Sequence, residues 1–341
     1  MWDFISPISL IRYLVVWRVN GSLVQLPRYL PLELSQVLAT LIAERLPAPQ
    51  VREWRKTLEA WETATQLETK SGKKTIPTLA WPLESVLFAY PNKRAFGPGE
   101  VILWELKLIG NSADHGIFLE LILPAMEQAA TTTDARWSRH NGLWGHFDIQ
   151  AIYISRGTRW EPIVTNGKLN LNYRASPTQW AEGLTLTADS ARRFCRLTWL
   201  TPFDFEFAPA DNDAEGNANN HESEIRKPRS RAPMLYDLIG ALMERMTVFL
   251  PGKRRAASEV WTTLSEETRT TLRSALEQTQ SSTRHRQKLT APPRDWPGKW
   301  IGTQIFSDVP PSLIPYLEVA SIIHIGKHTH LGCGTFRVDF F

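Results

Sequence analysis

Apolar residues change their spacing several times along this chain, and each change predicts an element. Residues 12–19, from Arg12 to Val19, are rich in β-branched and aromatic side chains and stop at Asn20 and Gly21, so they read as a strand. The whole apolar start, 1–19, is expected to be a buried strand: it lacks a basic leader, a small-residue cleavage site and an uncharged run of membrane-spanning length. Over 32–46 the spacing becomes helical, with Leu34, Leu38, Leu41 and Ile42 on one face, and Pro47 and Pro49 end it. A second helical stretch, 51–67, gathers Trp54, Leu58 and Trp61 on one side, and 68–82 has the composition of a loop. Alternation returns at 101–109, where Ile102, Trp104, Leu106 and Leu108 interleave with Glu105 and Lys107; 115–130 is helical and 146–155 alternates again. A weakly marked strand is expected at 83–90. The order strand, helix, strand, strand, helix, strand is that of a split βαβ, ferredoxin-like domain with helices on one face of an antiparallel sheet.

The second half repeats that order without repeating the sequence. Strands are expected at 192–199 and 300–306, helices at 233–249, 265–280 and 310–320, and a last strand at 335–341. The fold class is therefore α+β, with two tandem ferredoxin-like (RRM-like) domains. Residues 1–155 form the first, 156–182 a linker rich in turn residues, and 183–341 the second. Between the strand at 192–199 and the long helix, residues 204–224 hold seven acids and no lysine or arginine, a composition expected of a mobile loop.

Composition narrows the setting. The chain has 341 residues, 43% of them hydrophobic, enough for two cores. Its net charge is only +4, but the pI is near 9.1, compatible with a polyanionic partner without requiring one. Two cysteines, Cys195 and Cys333, cannot build a disulfide framework, so a reducing cytoplasm is expected.

The densest candidate chemistry lies at 324–334. Gly326, Gly332 and Gly334 surround Lys327 and the histidines at 328 and 330, with His324 just before. Glycines let backbone amides approach an anion, and lysine and imidazole add donors suited to phosphate oxygens. The same residues also suit a tight turn before the last strand, with the histidines solvated or packed. No carboxylate or second cysteine stands beside them, so no metal is expected, and no cofactor. The established nucleotide-loop fingerprints are absent. Two basic runs, 226–231 with Arg229 and Arg231, and 253–255 with Lys253, Arg254 and Arg255, flank the long helix. Arg284 and Arg286 enclose His285. Such runs suit a phosphate backbone and equally suit a solvated face. His140 and His146 flank a turn and are expected to be solvated or to cap it.

The loop Gly326-Lys327-His328-Thr329, continuing to Gly332 and Gly334, resembles the glycine-rich loop of the CRISPR-associated endoribonucleases that process precursor crRNA, members of the RAMP superfamily. Segments 96–110, 142–147, 196–202, 235–245, 284–287 and 298–302 resemble further pieces of that family in the same order. The resemblance implies tandem RRM-like domains, a CRISPR repeat stem-loop as RNA partner, and metal-independent cleavage by the ribose 2′-OH. It also allows CRISPR effector subunits as partners, and no membrane. Relatives carry a catalytic histidine near the start of the first helix; here that position offers Arg28 and Tyr29, and the chain has no histidine before His115. Arginine stays protonated and cannot act as base, though it can clamp phosphate oxygens. In the family layout the glycine loop faces that helix, so His324 and His328 are the candidates to move protons. The alternative is a subunit that holds the crRNA hairpin and cleaves slowly or not at all. An unrelated phosphate-binding enzyme rests on the glycine loop alone.

Replacing Lys253, Arg254 and Arg255 by alanine is expected to weaken hairpin binding and to flatten its salt dependence by up to about three phosphate contacts, read from binding titrations across a salt series. An unchanged slope would assign the run to solvated surface.

Overall fold

The computed structural model describes residues 4–71, 80–90, 93–184, 186, 194–205, 232–249 and 256–341, the side chains of 64–71 and 281–282 aside. The strand predicted at 12–19 is β1 (Leu10–Val19). Its odd positions Ile11, Tyr13, Val15, Trp17 and Val19 are buried under helices, as alternation requires, and Arg12, Leu14, Val16 and Arg18 take the other face. Two short strands, β2 (Val24–Gln25) and β4 (Ala95–Phe96), pair into a ribbon. Between them come α1 (Leu30–Arg45), α2 (Ala48–Ser71) and β3 (Ser85–Ala89). Pro31 sits in the first turn of α1, where a missing N–H costs nothing. β5 (Val101–Ile109) follows, then α3 (His115–Ile117), a π-helical turn and α4 (Leu123–Thr131), then β6 (Phe147–Arg156).

Antiparallel pairing gives the order β3-β5-β1-β6, that of a ferredoxin-like domain. The stretch 156–182, expected to be a linker, instead extends this sheet. β7 (Arg159–Thr165) pairs with β6 and β8 (Lys168–Leu169) with β7, making six strands. The turn residues Gly157 and Asn166-Gly167 that suggested a linker are hairpin corners.

The second domain repeats the plan: β9 (Phe194–Trp199), α5 (Leu235–Met246), α6 (Ala257–Thr263), α7 (Glu266–Ser282), β10 (His285–Thr290), β11 (Ile301–Ser307), α8 (Ile314–Ile323) and β12 (Phe336–Phe340). Its sheet order, β10-β11-β9-β12, is again ferredoxin-like. α5 carries the apolar face predicted for it, with Leu235, Leu238, Ile239, Leu242 and Met246 buried. α6 had no expectation; only Val260 of its residues is buried, too little to mark a period. The acidic loop expected at 204–224 lies outside the described residues from 206 onward.

Residues 4–9 do not continue β1, against the expectation of a strand there. Phe4, Ile5 and Ile8 cross into the second core, where the Phe4 ring stacks on Tyr316 at 4.2 Å. Leu10, Val86 and Ile109, from the uncovered face of the first sheet, join the same core. The two domains are thus cemented by apolar contact. Among the described residues no helix is long and apolar enough to cross a membrane.

Gly334 explains how the last loop closes. Its φ is +78°, and a Cβ there would run into the carbonyl oxygen of Ile325. Gly334→Ala is therefore expected to destabilise the protein by ~2 kcal/mol or more, through backbone strain and overpacking. A urea titration checks it, and an unchanged midpoint would refute the crowding.

Candidate nucleic-acid interface

The glycine loop is built inward. Gly332, at φ +78°, leaves no room for a Cβ beside the Leu87 carbonyl of β3, so the loop lies against the edge of the first sheet. Gly326 presses likewise on Asp204 and Phe205. The amides expected to meet an anion are largely engaged: Lys327 N donates to Asp204 O at 2.9 Å, Gly334 N to Pro202 O at 2.9 Å, and Leu331, Gly332 and Cys333 N to carbonyls within the loop.

His324, a predicted proton carrier, has no exposed surface. Its Nδ1 faces the carbonyl oxygens of Gly332 and Cys333 at 3.2 and 3.1 Å; carbonyls only accept, so Nδ1 carries the proton. Nε2 then accepts from Lys107 Nζ at 2.8 Å. Burial, the Lys107 charge and that of Arg245 hold the imidazole well below its usual range, despite the two carbonyls. Both ring nitrogens are spent on structure, which corrects its expected role at the RNA.

Lys107 belongs to a buried cluster. Its Nζ also donates to Ile322 O at 2.6 Å and lies 3.8 Å from Glu105, whose carboxylate accepts from Arg12 Nε at 2.6 Å. Burial pulls the Lys107 amine down to about 7, against the pull of Glu105. Tyr29 is also internal. Its hydroxyl donates to Leu331 O at 2.6 Å, and burial beside Cys333 raises its pKa well above the ordinary phenol value. Tyr29 is a clamp on the glycine loop, which corrects its place among catalytic candidates.

His328 is half-buried in a left-handed conformation, φ +56°, and burial lowers its pKa, with Asp204 opposing and Lys327 assisting. Its carbonyl accepts from Leu331 and Cys333, so the residue shapes the loop. His328 lines neither of the two clefts that meet at Arg28, and Lys327, half-buried beside it, lines neither.

Of the four catalytic candidates, Arg28 is the exposed one. Its side chain is 59% exposed, and Nη1 donates to Asp295 Oδ2 at 2.6 Å, across from the second domain. On one side lies a polar cleft of about 490 Å³ lined by Arg28, Arg94, Arg139, His140, Glu33 and Asp295. On the other lies an apolar cleft of about 450 Å³. The β2–β4 ribbon holds this corner: Leu26 N donates to Arg94 O at 2.8 Å and Gln25 N to Asn141 O at 2.7 Å. The second bond fixes the turn carrying Arg139 and His140, closed by Gly142 N to Arg139 O at 2.9 Å, with Asn141 left-handed at φ +57°. Glu33, in the first turn of α1, takes Trp144 Nε1 at 2.7 Å and lies 3.5 Å from Arg139.

His140, expected to be merely solvated or capping, is thus an exposed imidazole on a wall it shares with Arg28. The run Arg136-Trp137-Ser138-Arg139-His140 before Asn141-Gly142 held the clue: cations interleaved with an aromatic and turned outward by Asn-Gly. Arg286 is exposed on β10, the edge strand of the second sheet, and Arg284 is exposed just before it. Arg229, Arg231, Lys253, Arg254 and Arg255 lie outside the described residues. Among the described residues no three His, Cys, Asp or Glu side chains group as a metal site.

No family model and no curated protein matches the chain. Among solved structures, a Thermus thermophilus Cas6 is 12% identical over 97% of this chain and 99% of its own, with a TM-score of 0.44. A Cas6 product complex gives 13% identity, 98% and 100% coverage and a TM-score of 0.44. A partial Cas6-RT-Cas1–Cas2 complex gives 11% identity and a TM-score of 0.49; 98% of this chain aligns, spanning 46% of that one. Likenesses this remote, each with a TM-score under 0.5, carry no argument about this chain.

The buried imidazole sets an expectation for stability. His324 is neutral in the fold, so below the usual histidine value only the unfolded chain gains its proton, and stability held above that value is lost as pH falls. His115, His285 and His328 are shifted the same way. Urea midpoints are expected to drop between pH 7 and 5, less steeply in His324→Asn. Equal slopes in the two proteins would mean that His324 is not held neutral.

Proposed function

We propose that the chain binds a CRISPR repeat stem-loop and cuts precursor crRNA without a metal ion, the scissile phosphate lying at Arg28. The observation that carries this reading is the corner where two clefts meet at Arg28, with Arg94, Arg139 and His140 on the polar side. It stands at the head of α1, where the sequence resemblance puts the reaction.

The chemistry follows from the groups present. The ribose 2′-OH attacks phosphorus while the bond to the 5′ oxygen breaks, leaving a 2′,3′-cyclic phosphate and a 5′-hydroxyl. Arg28 and Arg94 supply guanidinium donors for the phosphorane, whose charge grows in the transition state. His140 takes the 2′-OH proton, and water returns one to the leaving 5′ oxygen. The pair with Asp295 is no obstacle. A pair this exposed is worth roughly 0–1 kcal/mol, and a phosphate offers the same fork stronger charge-assisted bonds. Lys327, Arg284, Arg286 and the basic runs would then carry flanking backbone.

The test is single-turnover cleavage of repeat RNA in EDTA. Arg28→Ala and His140→Ala are each expected to slow it by about 10²-fold with little change in binding, and Arg28→Lys to recover part. Tight binding without cleavage by the wild type would favour a subunit that only holds the hairpin. Full activity in Arg28→Ala/His140→Ala would move the reaction to another groove.

A further inference from the structure

The apolar cleft on the other side of Arg28 has a composition the cleavage reaction does not use. Leu26, Pro27, Phe96, Ile102 and Leu103 from the first domain, and Pro293 and Trp296 from the second, contribute to its walls. Its charged walls are Arg28, Lys93 and Arg94, with no acid among its lining residues. Tyr90 and Leu103, which also line it, keep 40% and 38% of their surface exposed.

Tyr90 is not a loose surface ring. Its hydroxyl is hydrogen-bonded to Glu105, itself buried and tied to Arg12, and the ring packs edge-on against Phe88 at 4.8 Å. Trp296 is held likewise, by its backbone N–H donating to Pro293 O at 2.9 Å and by its ring 5.2 Å from that of Tyr29. Two aromatic side chains are thus fixed in place along one open cleft, at no further ordering cost to a ligand.

An apolar, aromatic slot whose charged lining residues are all cations, two of them paired to acids outside it, suits a ligand that is flat and apolar in one part and anionic in another. A nucleotide has that form. Base-on-aromatic stacking is worth roughly 1–3 kcal/mol per base and tolerates any sequence. Arg28 lines both clefts, so a phosphate held there would place its neighbouring nucleoside at the mouth of the apolar one. We propose that this cleft takes an unpaired nucleobase flanking the phosphate at Arg28, stacked on Tyr90 or Trp296. The inference rests on the RNA reading above and adds a requirement: the cut site is flanked by a base that is extruded and not paired.

The test uses repeat RNA carrying a single abasic nucleotide at each unpaired position in turn. With wild-type protein, one position next to the cut is expected to weaken binding by about 10-fold. In Tyr90→Ala or Trp296→Ala that abasic RNA should bind no worse than intact RNA, whereas Tyr90→Phe, which keeps the ring, should retain the penalty. Should either alanine variant fail to fold by circular dichroism, 4-thiouridine at the same position in RNA bound to wild type decides. A photocrosslink to the peptide holding Tyr90 or Trp296 upholds the slot, and crosslinks confined to other peptides overturn it. An abasic penalty that persists in both ring variants overturns the slot alone. Failure of wild type to bind intact repeat RNA overturns the RNA reading, and the slot with it.

Discussion

The amino group of Lys107, on the otherwise uncovered face of the first sheet, fixes how the two domains meet. It is 3% exposed, and stripping an ammonium of water costs several kcal/mol unless its donors are satisfied. They are satisfied mostly from the other domain, by Ile322 O and His324 Nε2, with Glu105 nearby as counter-charge. Ile322 lies in the last turn of α8, where helix carbonyls gather negative potential, and Arg245 donates to Ile323 O at 3.3 Å. A helix end is thus held by two cations from different domains. Removing one partner would leave a buried charge uncompensated, so the cluster holds as a unit or not at all.

The geometry at Arg28 follows from that anchor. Beyond α8 the chain turns at His324, which has a positive φ, and the glycine loop doubles back under β3. Leu331 then receives the Tyr29 hydroxyl. Because Tyr29 is pinned by the second domain, its neighbour Arg28 is presented at the seam, beside Asp295 of that domain. Tyr29 and His324, which first attract attention for their chemistry, are internal, and Arg28, next to Tyr29, is the side chain left open to solvent.

How much of this could be read beforehand depends on range. β1, β5, β6, α1 and α5 were legible because their apolar spacing is local and strict, and their order gave the fold. β7 and β8 were not, since hairpin corners and a linker share glycine, asparagine and proline. Function divides the same way. Arg28 could be singled out by its position ahead of α1, and the fold leaves it exposed. His324 was misplaced because nothing in its neighbourhood says that Lys107, far away in sequence, will occupy its free nitrogen. His140 was expected only to be solvated or capping, because its place beside Arg28 comes from the Gln25–Asn141 bond, which only the folded ribbon creates.

The apolar seam also constrains the order in which the molecule assembles. Leu10, Val86 and Ile109 belong to strands of the first sheet, yet their burial depends on α5, α8 and the loop that follows. During synthesis the first domain can close its own helix-covered core while these side chains still face water. They stay so until nearly the whole chain has emerged, because Tyr29 and Leu331, the partners that lock the loop, are 302 residues apart. Contacts of that span close late, since loop entropy must be overcome before they contribute. In that interval the half-made protein carries an adhesive face, and docking the second domain is what retires it.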